Sequence, residues 1–261
     1  MNFAVIGSNT SESLSPKLHN FIYKLLNLNN SYSFLEVDEI EYSILLEYSG
    51  LNITSPFKNK IIKYINELDP IAQETQSVNC IKTVKDQIFG YNTDYYGFNK
   101  SMIQNKIDFY NKKIIVLGAG GVSSTICKFL NDNKFNFKIL NRTSKNLDIL
   151  KKRLSLDDNK IADTNYLKEL DVDTVINCLS PSASSEEYLK TIGLFDIPID
   201  THIDINYNIS ENIISNINAN RMVDGLDMLI FQAIKSIEIW MENDILQGVD
   251  YQSLHKHIME N

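Results

Sequence analysis

Apolar positions along the chain recur in two rhythms, and the alternation between them predicts the elements. Residues 3–7 form a short apolar run of buried-strand type. After a polar stretch, Leu18, Phe21, Ile22, Leu25 and Leu26 recur on one helical face. Ser15 reads as the cap of that helix, with Pro16 at its first position, where the missing N–H costs nothing. Residues 32–37 and 51–54 read as strands, with a helix over 39–48 between them. Residues 78–84 and Gln87–Tyr91 flank Lys85-Asp86 as a hairpin, and Asp94–Gln104 follows as a helix.

The rhythm then changes. Residues 113–117 form a compact apolar strand that runs into Gly118-Ala119-Gly120-Gly121 and a helix through Leu130. Strands at 135–140, 173–178 and 199–205 alternate with helical patterns, one starting near Ser144. The chain closes with helices over Leu226–Met241 and Tyr251–Met259. Strands alternating with helices predict an α/β fold with a parallel sheet covered on both faces. We place a first domain over 1–97, with 233–261 returning to it, and a second over 98–232.

Length and composition leave room for this. The chain has 261 residues, enough for two domains, and an ordinary apolar content. Its formal net charge of −8, with no basic patch, argues against nucleic acid as a partner. An anionic ligand must therefore be held by local donors against the overall field. Cys80, Cys127 and Cys178 are far apart and odd in number, so neither a disulfide set nor a zinc site is predicted. With no signal-type N-terminus and no membrane-length apolar run, the expectation is a cytoplasmic protein.

The glycine turn carries the first chemistry. Gly118-x-Gly120-x-x-Ser123 follows a predicted strand and opens a predicted helix, the context a dinucleotide fingerprint requires. The first glycine permits the turn, the second lets backbone approach a pyrophosphate, and the third position must be small for helix and strand to pack. Free N–H groups at the helix start, including those of Gly121 and Val122, favour anions. Where an NAD site would often carry an acid at the end of the next strand, the chain has Asn141-Arg142-Thr143. A base without an acid there favours NADP.

Polar clusters in the first domain lie in loops at strand ends. They are Ser13-Leu14-Ser15-Pro16, Asn52-Ile53-Thr54-Ser55-Pro56-Phe57-Lys58, Val78-Asn79 and Asn92-Thr93-Asp94. Taken singly, Ser15 and Asp94 read as helix caps, Asn52 and Asn79 as turn residues, and Lys58 as a solvated surface lysine. Together they offer hydroxyls, amides, one ammonium and one carboxylate, a lining suited to a small polyhydroxylated acid.

With these motifs in this order the chain resembles the shikimate dehydrogenase family. Asn52-Ile53-Thr54-Ser55-Pro56-Phe57-Lys58 is similar to the family's N-V-T-x-P-[FHY]-K. Asn92-Thr93-Asp94 matches N-T-D, Asp204-x-x-Tyr207 matches D-x-x-Y, and Asp224-Gly225-Leu226-x-Met228-Leu229-x-x-Gln232-Ala233 matches the C-terminal motif. The resemblance implies an N-terminal α/β substrate domain, a Rossmann-type NADP domain and a C-terminal helix returning to the first domain. It also implies a cleft that closes on its ligands. The implied reaction is the reversible NADPH-dependent reduction of 3-dehydroshikimate to shikimate. Lys58 and Asp94 are then the catalytic pair. Ser13 and Ser15, with Tyr207 nearby, hold the substrate carboxylate; Thr54, Asn79, Asp94 and Gln232 hold its ring hydroxyls, and Asn52 is a further substrate-binding residue. Gly118, Ala119, Gly120, Gly121, Val122, Asn141, Arg142, Thr143, Ile205 and Gly225 hold NADP. No metal is required, because the cofactor carries the hydride chemistry. A monomer and a homodimer both suit such a fold.

Departures from the family pattern are Ser77, Cys80, Tyr95, Leu179, Ile205, Asp227 and Pro70. Asp227 weakens cofactor binding if it faces the phosphates and is neutral if it faces solvent. The alternatives are a quinate/shikimate dehydrogenase and a catalytically weak shikimate- or NADP-binding relative. Another Rossmann enzyme, a methylene-tetrahydrofolate dehydrogenase, is not expected to carry Asn92-Thr93-Asp94.

Overall fold

The computed structural model describes residues 1–207 and 209–260 and divides into two units. The first comprises Met1–Ser101 together with the chain from Asp227 onward, and the second Met102–Leu226.

In the first unit the elements run β1 (Asn2–Gly7), α1 (Ser15–Leu25), β2 (Ser31–Glu36), α2 (Tyr42–Leu46), β3 (Gly50–Ile53), β4 (Glu67–Leu68), α3 (Pro70–Thr75), β5 (Cys80–Val84), β6 (Gln87–Tyr91) and α4 (Asp94–Gln104). The strands form one six-stranded sheet in the order β2-β1-β3-β5-β6-β4. The first three are parallel, and β5 and β6 make the sheet mixed. β5 runs antiparallel to β3, and the hairpin turns β6 back against β5. Lys85 and Asp86 both take positive φ, 49° and 61°, the twist a two-residue hairpin needs.

Alternation along the strands divides the core. Ala4, Ile6, Leu51, Ile53 and Ile81 join Leu45 of α2, Phe57, Ile61 and Ala72 of α3 in one apolar cluster. The intervening positions turn the other way, where Phe3 stacks on Trp240 at 4.5 Å. Trp240 lies in the long helix after the second unit and donates to the Ile81 carbonyl at 2.8 Å.

Two expectations are corrected here. Ser15 does not cap the first helix: Leu14 is the cap residue, and Ser15 is the first helical residue, its own N–H donating to Ser13 Oγ at 3.2 Å. The helix expected over 39–48 shrinks to Tyr42–Leu46, because Glu41 is extended (φ −95°, ψ 139°).

The second unit runs β7 (Ile114–Leu117), α5 (Gly121–Asp132), β8 (Phe137–Leu140), α6 (Ser144–Arg153), β9 (Thr174–Asn177), α7 (Glu186–Thr191), β10 (Ile199–Asp204), α8 (Glu211–Asn216) and β11 (Ala219–Val223). Its strands are all parallel, in the order β11-β10-β9-β7-β8. This is a Rossmann-like doubly wound sheet of the 2-1-3-4-5 type, which reverses direction between β7 and β9, where such sheets bind ligands. Ile115, Leu117 and Val175 pack with Leu189 of α7 and with Ile192, which caps it. The chain ends with α9 (Leu226–Met241) and α10 (Tyr251–Met259); Phe21 of α1 stacks on His257 of α10 at 3.8 Å. Among the described residues no helix is long and apolar enough to cross a membrane.

Candidate active site

Lys58 enters the site from the loop after β3. Phe57, almost fully buried, anchors that loop, its N–H closing a turn onto the Thr54 carbonyl at 2.9 Å. The Lys58 carbonyl accepts from Val78 N–H at 2.9 Å, so the loop is tied to the segment that carries Asn79. Asp94 is the first residue of α4. Asn92 fixes that helix start, accepting from Tyr95 N–H at 3.3 Å while its amide donates to the Ser77 carbonyl at 2.9 Å.

These two anchors bring Lys58 Nζ to 2.6 Å from Asp94 Oδ2, with side chains only 14% and 7% exposed. An ion pair taken this far out of water contributes little net stability, because desolvation offsets the attraction. Such a pair is better explained by chemistry than by folding.

A polar lattice surrounds the pair. Asn79 Nδ2 donates to Asp94 Oδ1 and Thr93 Oγ1, both at 2.9 Å, and to Gln232 Oε1 at 3.4 Å. Its oxygen accepts from Thr93 N–H at 2.6 Å. Asn52 Nδ2 donates to Ser236 Oγ at 2.9 Å, and its oxygen accepts from the Tyr32 hydroxyl at 2.8 Å. Gln232 and Ser236, four residues apart on α9, share one helical face. Gly97 allows α9 this close: a Cβ on it would lie 2.8 Å from the Met228 carbonyl oxygen.

The surface and turn readings therefore give way: Asn52 and Asn79 are buried and hydrogen-bonded, and Lys58 is half-buried and paired with Asp94. Asn52, Asn79, Asp94, Gln232 and Lys58 join one lattice. Ser15 is buried and its N–H donates to Ser13 Oγ, but among the described residues neither serine nor the Thr54 side chain hydrogen-bonds to that lattice. Tyr207 stands in the second unit, three residues after Asp204. Sequence reasoning missed Tyr32 and Ser236, and read Thr93 only as part of the Asn92-Thr93-Asp94 cluster. The helical spacing from Gln232 to Ser236 was the one signal available for Ser236.

In the second unit the glycine turn follows β7. Gly118 has φ +103°, which L side chains rarely adopt, and its N–H donates to the Leu140 carbonyl at 2.9 Å. Gly120 is the cap residue of α5, and its N–H donates to Ser123 Oγ at 3.1 Å. Ser123 is thus more than small: it braces the turn. Ala119, Gly121 and Val122 are half-buried around it.

A dinucleotide fits these residues. A Cβ on Gly120 would meet nothing within 4 Å, so the turn presents open space beside the first amides of α5. No acid occupies the first turn of that helix. At the end of β8, Asn141 Nδ2 donates to Thr143 O at 3.0 Å and to Thr143 Oγ1 at 3.1 Å, and Arg142 is exposed. Ile205 follows β10, its N–H on the Asn177 carbonyl at 3.1 Å, and Gly225 N–H donates to the Asn206 carbonyl at 3.0 Å.

The departures resolve physically. Asp227 does not face solvent: it is buried in the first unit and accepts a hydrogen bond from the Tyr251 hydroxyl. Leu179 is an apolar cover for the turn, its Cδ2 3.3 Å from where a Gly118 Cβ would stand. Burial pushes the Cys80 thiol up to about 12, so it stays protonated. Pro70 opens α3, with Asp69 capping it by accepting from Ala72 N–H at 2.6 Å. Among the described residues no group of His, Cys, Asp and Glu could hold a metal ion.

Comparison with known proteins agrees with this geometry. Residues 5–81 match the family model described as shikimate dehydrogenase substrate binding domain, and residues 101–191 the model described as shikimate / quinate 5-dehydrogenase. The chain is 34% identical to the NADP(+) shikimate dehydrogenase of Pelagibacter ubique over 264 residues, spanning 97% of each chain. It is 32% identical to the enzyme of the same name from Clostridium beijerinckii over 273 residues, 95% of this chain and 96% of that one. The crystal structure of shikimate dehydrogenase from Aquifex aeolicus superposes with a TM-score of 0.83 at 27% identity, covering 100% of this chain and 98% of that one. On sequence, fold and motif order together, the chain belongs to the shikimate dehydrogenase family.

Proposed function

We propose that the protein is an NADP-dependent shikimate dehydrogenase that interconverts 3-dehydroshikimate and shikimate on the route to chorismate and the aromatic amino acids. The observation that carries this reading is the buried Lys58–Asp94 pair at 2.6 Å inside a lattice of amides and hydroxyls. When bound, the reduced nicotinamide supplies the hydride.

The chain's own residues do the rest. Addition of hydride to a ketone builds negative charge on its oxygen. The Lys58 ammonium donates a hydrogen bond to that oxygen and gives up a proton as the alcohol forms. Asp94 is its one hydrogen-bond partner among the described residues, which leaves further Nζ donors for substrate. Asp94 orients the ammonium and Asn79 orients Asp94. In the oxidation direction Lys58 takes the proton back. Ser13, Ser15, Asn52, Thr54, Asn79, Tyr207 and Gln232 would hold the substrate's carboxylate and hydroxyls. Gly118, Ala119, Gly120, Gly121 and Val122 would hold the pyrophosphate, Asn141, Arg142 and Thr143 the 2′-phosphate, and Ile205 and Gly225 the nicotinamide end.

The test is a spectrophotometric assay of nicotinamide reduction with shikimate or quinate, each with NADP+ or NAD+. The reading expects shikimate with NADP+ to be the fastest combination. Quinate outpacing shikimate would reassign the substrate. No turnover in any combination, from folded protein, would leave a binding relative in place of an enzyme.

A further inference from the structure

Arg142 stands exposed at the end of β8, and its guanidinium carbon lies 6.0 Å from the centroid of the Tyr188 ring. Among the described residues no carboxylate pairs with it, although Glu186 and Glu187 neighbour Tyr188 in sequence. The backbone beneath the ring is anchored. Tyr188 N–H is held by Ser185 Oγ at 3.2 Å, the next residue, Leu189, is fully buried in the core of the unit, and Tyr188 is half-buried. The strand end carrying Arg142 is fixed in turn by the Asn141 bonds to Thr143.

The kind of partner matters. A carboxylate would orient the guanidinium but consume its donors and compete with an incoming phosphate. An aromatic face attracts the cation through its quadrupole and leaves every N–H free. A flexible arginine held this way loses less rotamer freedom when it binds an anion.

We infer that Tyr188 is a positioning residue for cofactor discrimination: its ring face holds the Arg142 guanidinium ready for the 2′-phosphate that distinguishes NADP from NAD. This rests on the dinucleotide reading proposed above. Tyr188 touches the arginine, and the arginine makes the discriminating contact.

The experiment is calorimetric titration of the whole protein with adenosine 2′,5′-bisphosphate and, separately, with ADP. The variants are Tyr188→Phe, Tyr188→Leu, Tyr188→Met, Arg142→Gln and the double variant Arg142→Gln/Tyr188→Leu. Leu and Met both fill the space without an aromatic face, so either folded variant suffices. Loss of the face is expected to weaken the bisphosphate roughly 3-fold and leave ADP unchanged. Tyr188→Phe should bind as the wild type does. The double variant should bind no more weakly than Arg142→Gln alone. Unchanged bisphosphate affinity in Tyr188→Leu and Tyr188→Met overturns the inference. So does an equal loss for both ligands, which would mean that the ring serves the adenine, and so does a loss in Tyr188→Phe equal to that in Tyr188→Leu. Wild-type protein that binds neither ligand would instead refute the dinucleotide reading itself, and this inference with it.

Discussion

Two glycines two residues apart allow the fold and the function of the turn to be separated. Gly118 has φ +103°, and an alanine there carries backbone strain of about 1–2 kcal/mol and a contact at 3.3 Å with Leu179 Cδ2. Gly120 has φ −87°, which alanine adopts freely, and its added methyl would meet nothing within 4 Å. Alanine is a poorer cap residue than glycine by something on the order of 0.5 kcal/mol. It also restricts the unfolded chain, which returns about 0.4–1 kcal/mol. The two terms nearly cancel, so Gly120→Ala should leave the urea midpoint almost unchanged while Gly118→Ala lowers it. For binding, the methyl projects into the space where the proposed pyrophosphate must approach backbone N–H groups. We expect NADP+ affinity in Gly120→Ala to fall at least ~10-fold, about 1.4 kcal/mol. Calorimetric titration of folded protein, paired with urea unfolding, reads both quantities. Wild-type affinity in Gly120→Ala would refute the assignment of the pyrophosphate to this turn.

His19 is fully buried, stacked on Tyr32 at 3.9 Å, with neither ring nitrogen hydrogen-bonded, and burial pushes its pKa down to about 3. Because the folded value lies below the unfolded one near 6.5, its neutral form contributes full stability above pH about 6.5. That contribution is lost as pH falls from there toward about 3, at ~1.4 kcal/mol per unit. His19→Phe should flatten urea-midpoint curves in that window; curves parallel to the wild type would contradict this. Trp240 is the single tryptophan, is buried and bonds the Ile81 carbonyl at 2.8 Å, so Trp240→Phe should destabilise the protein by about 1–3 kcal/mol by removing that bond and leaving a void. Circular dichroism in urea measures it, and a shift below about 0.5 kcal/mol would count against it. Asp94→Asn keeps the shape of the site but removes the charge beside Lys58, and should lower kcat at least ~100-fold with little change in shikimate affinity; a rise in KM alone would make Asp94 a binding group only.

What the sequence disclosed divides along a physical line. The helices Asp94–Gln104, Leu226–Met241 and Tyr251–Met259 were legible to the residue, because each has clear apolar spacing and a polar start. The glycine turn was legible because strand, turn and helix are contiguous. Short or edge pieces were not. The strand Ala219–Val223 exposes Asn220, Arg221 and Met222 at the sheet edge, and Glu67–Leu68 has only two residues, so neither shows a period. The helix Pro70–Thr75 was missed although Asp69-Pro70 is a cap and first-turn signature. In the site, residue types and order were readable but burial was not. Asn52 and Asn79 look like turn residues until the sheet places Asn52 opposite Cys80 and α9 supplies Ser236 and Gln232 more than 150 positions along the chain. The ring beneath Arg142 likewise comes from a helix 46 residues on, with no local signal linking the two.

The most direct test of the account is Lys58→Ala, assayed for shikimate oxidation with NADP+ beside calorimetric titration of both ligands. If the ammonium donates and accepts the proton, kcat should fall by about 100- to 10,000-fold while the variant folds and NADP+ affinity stays near wild type. Near-normal turnover in a folded variant that binds both ligands would contradict the central claim, and the Lys58–Asp94 pair would then be structural.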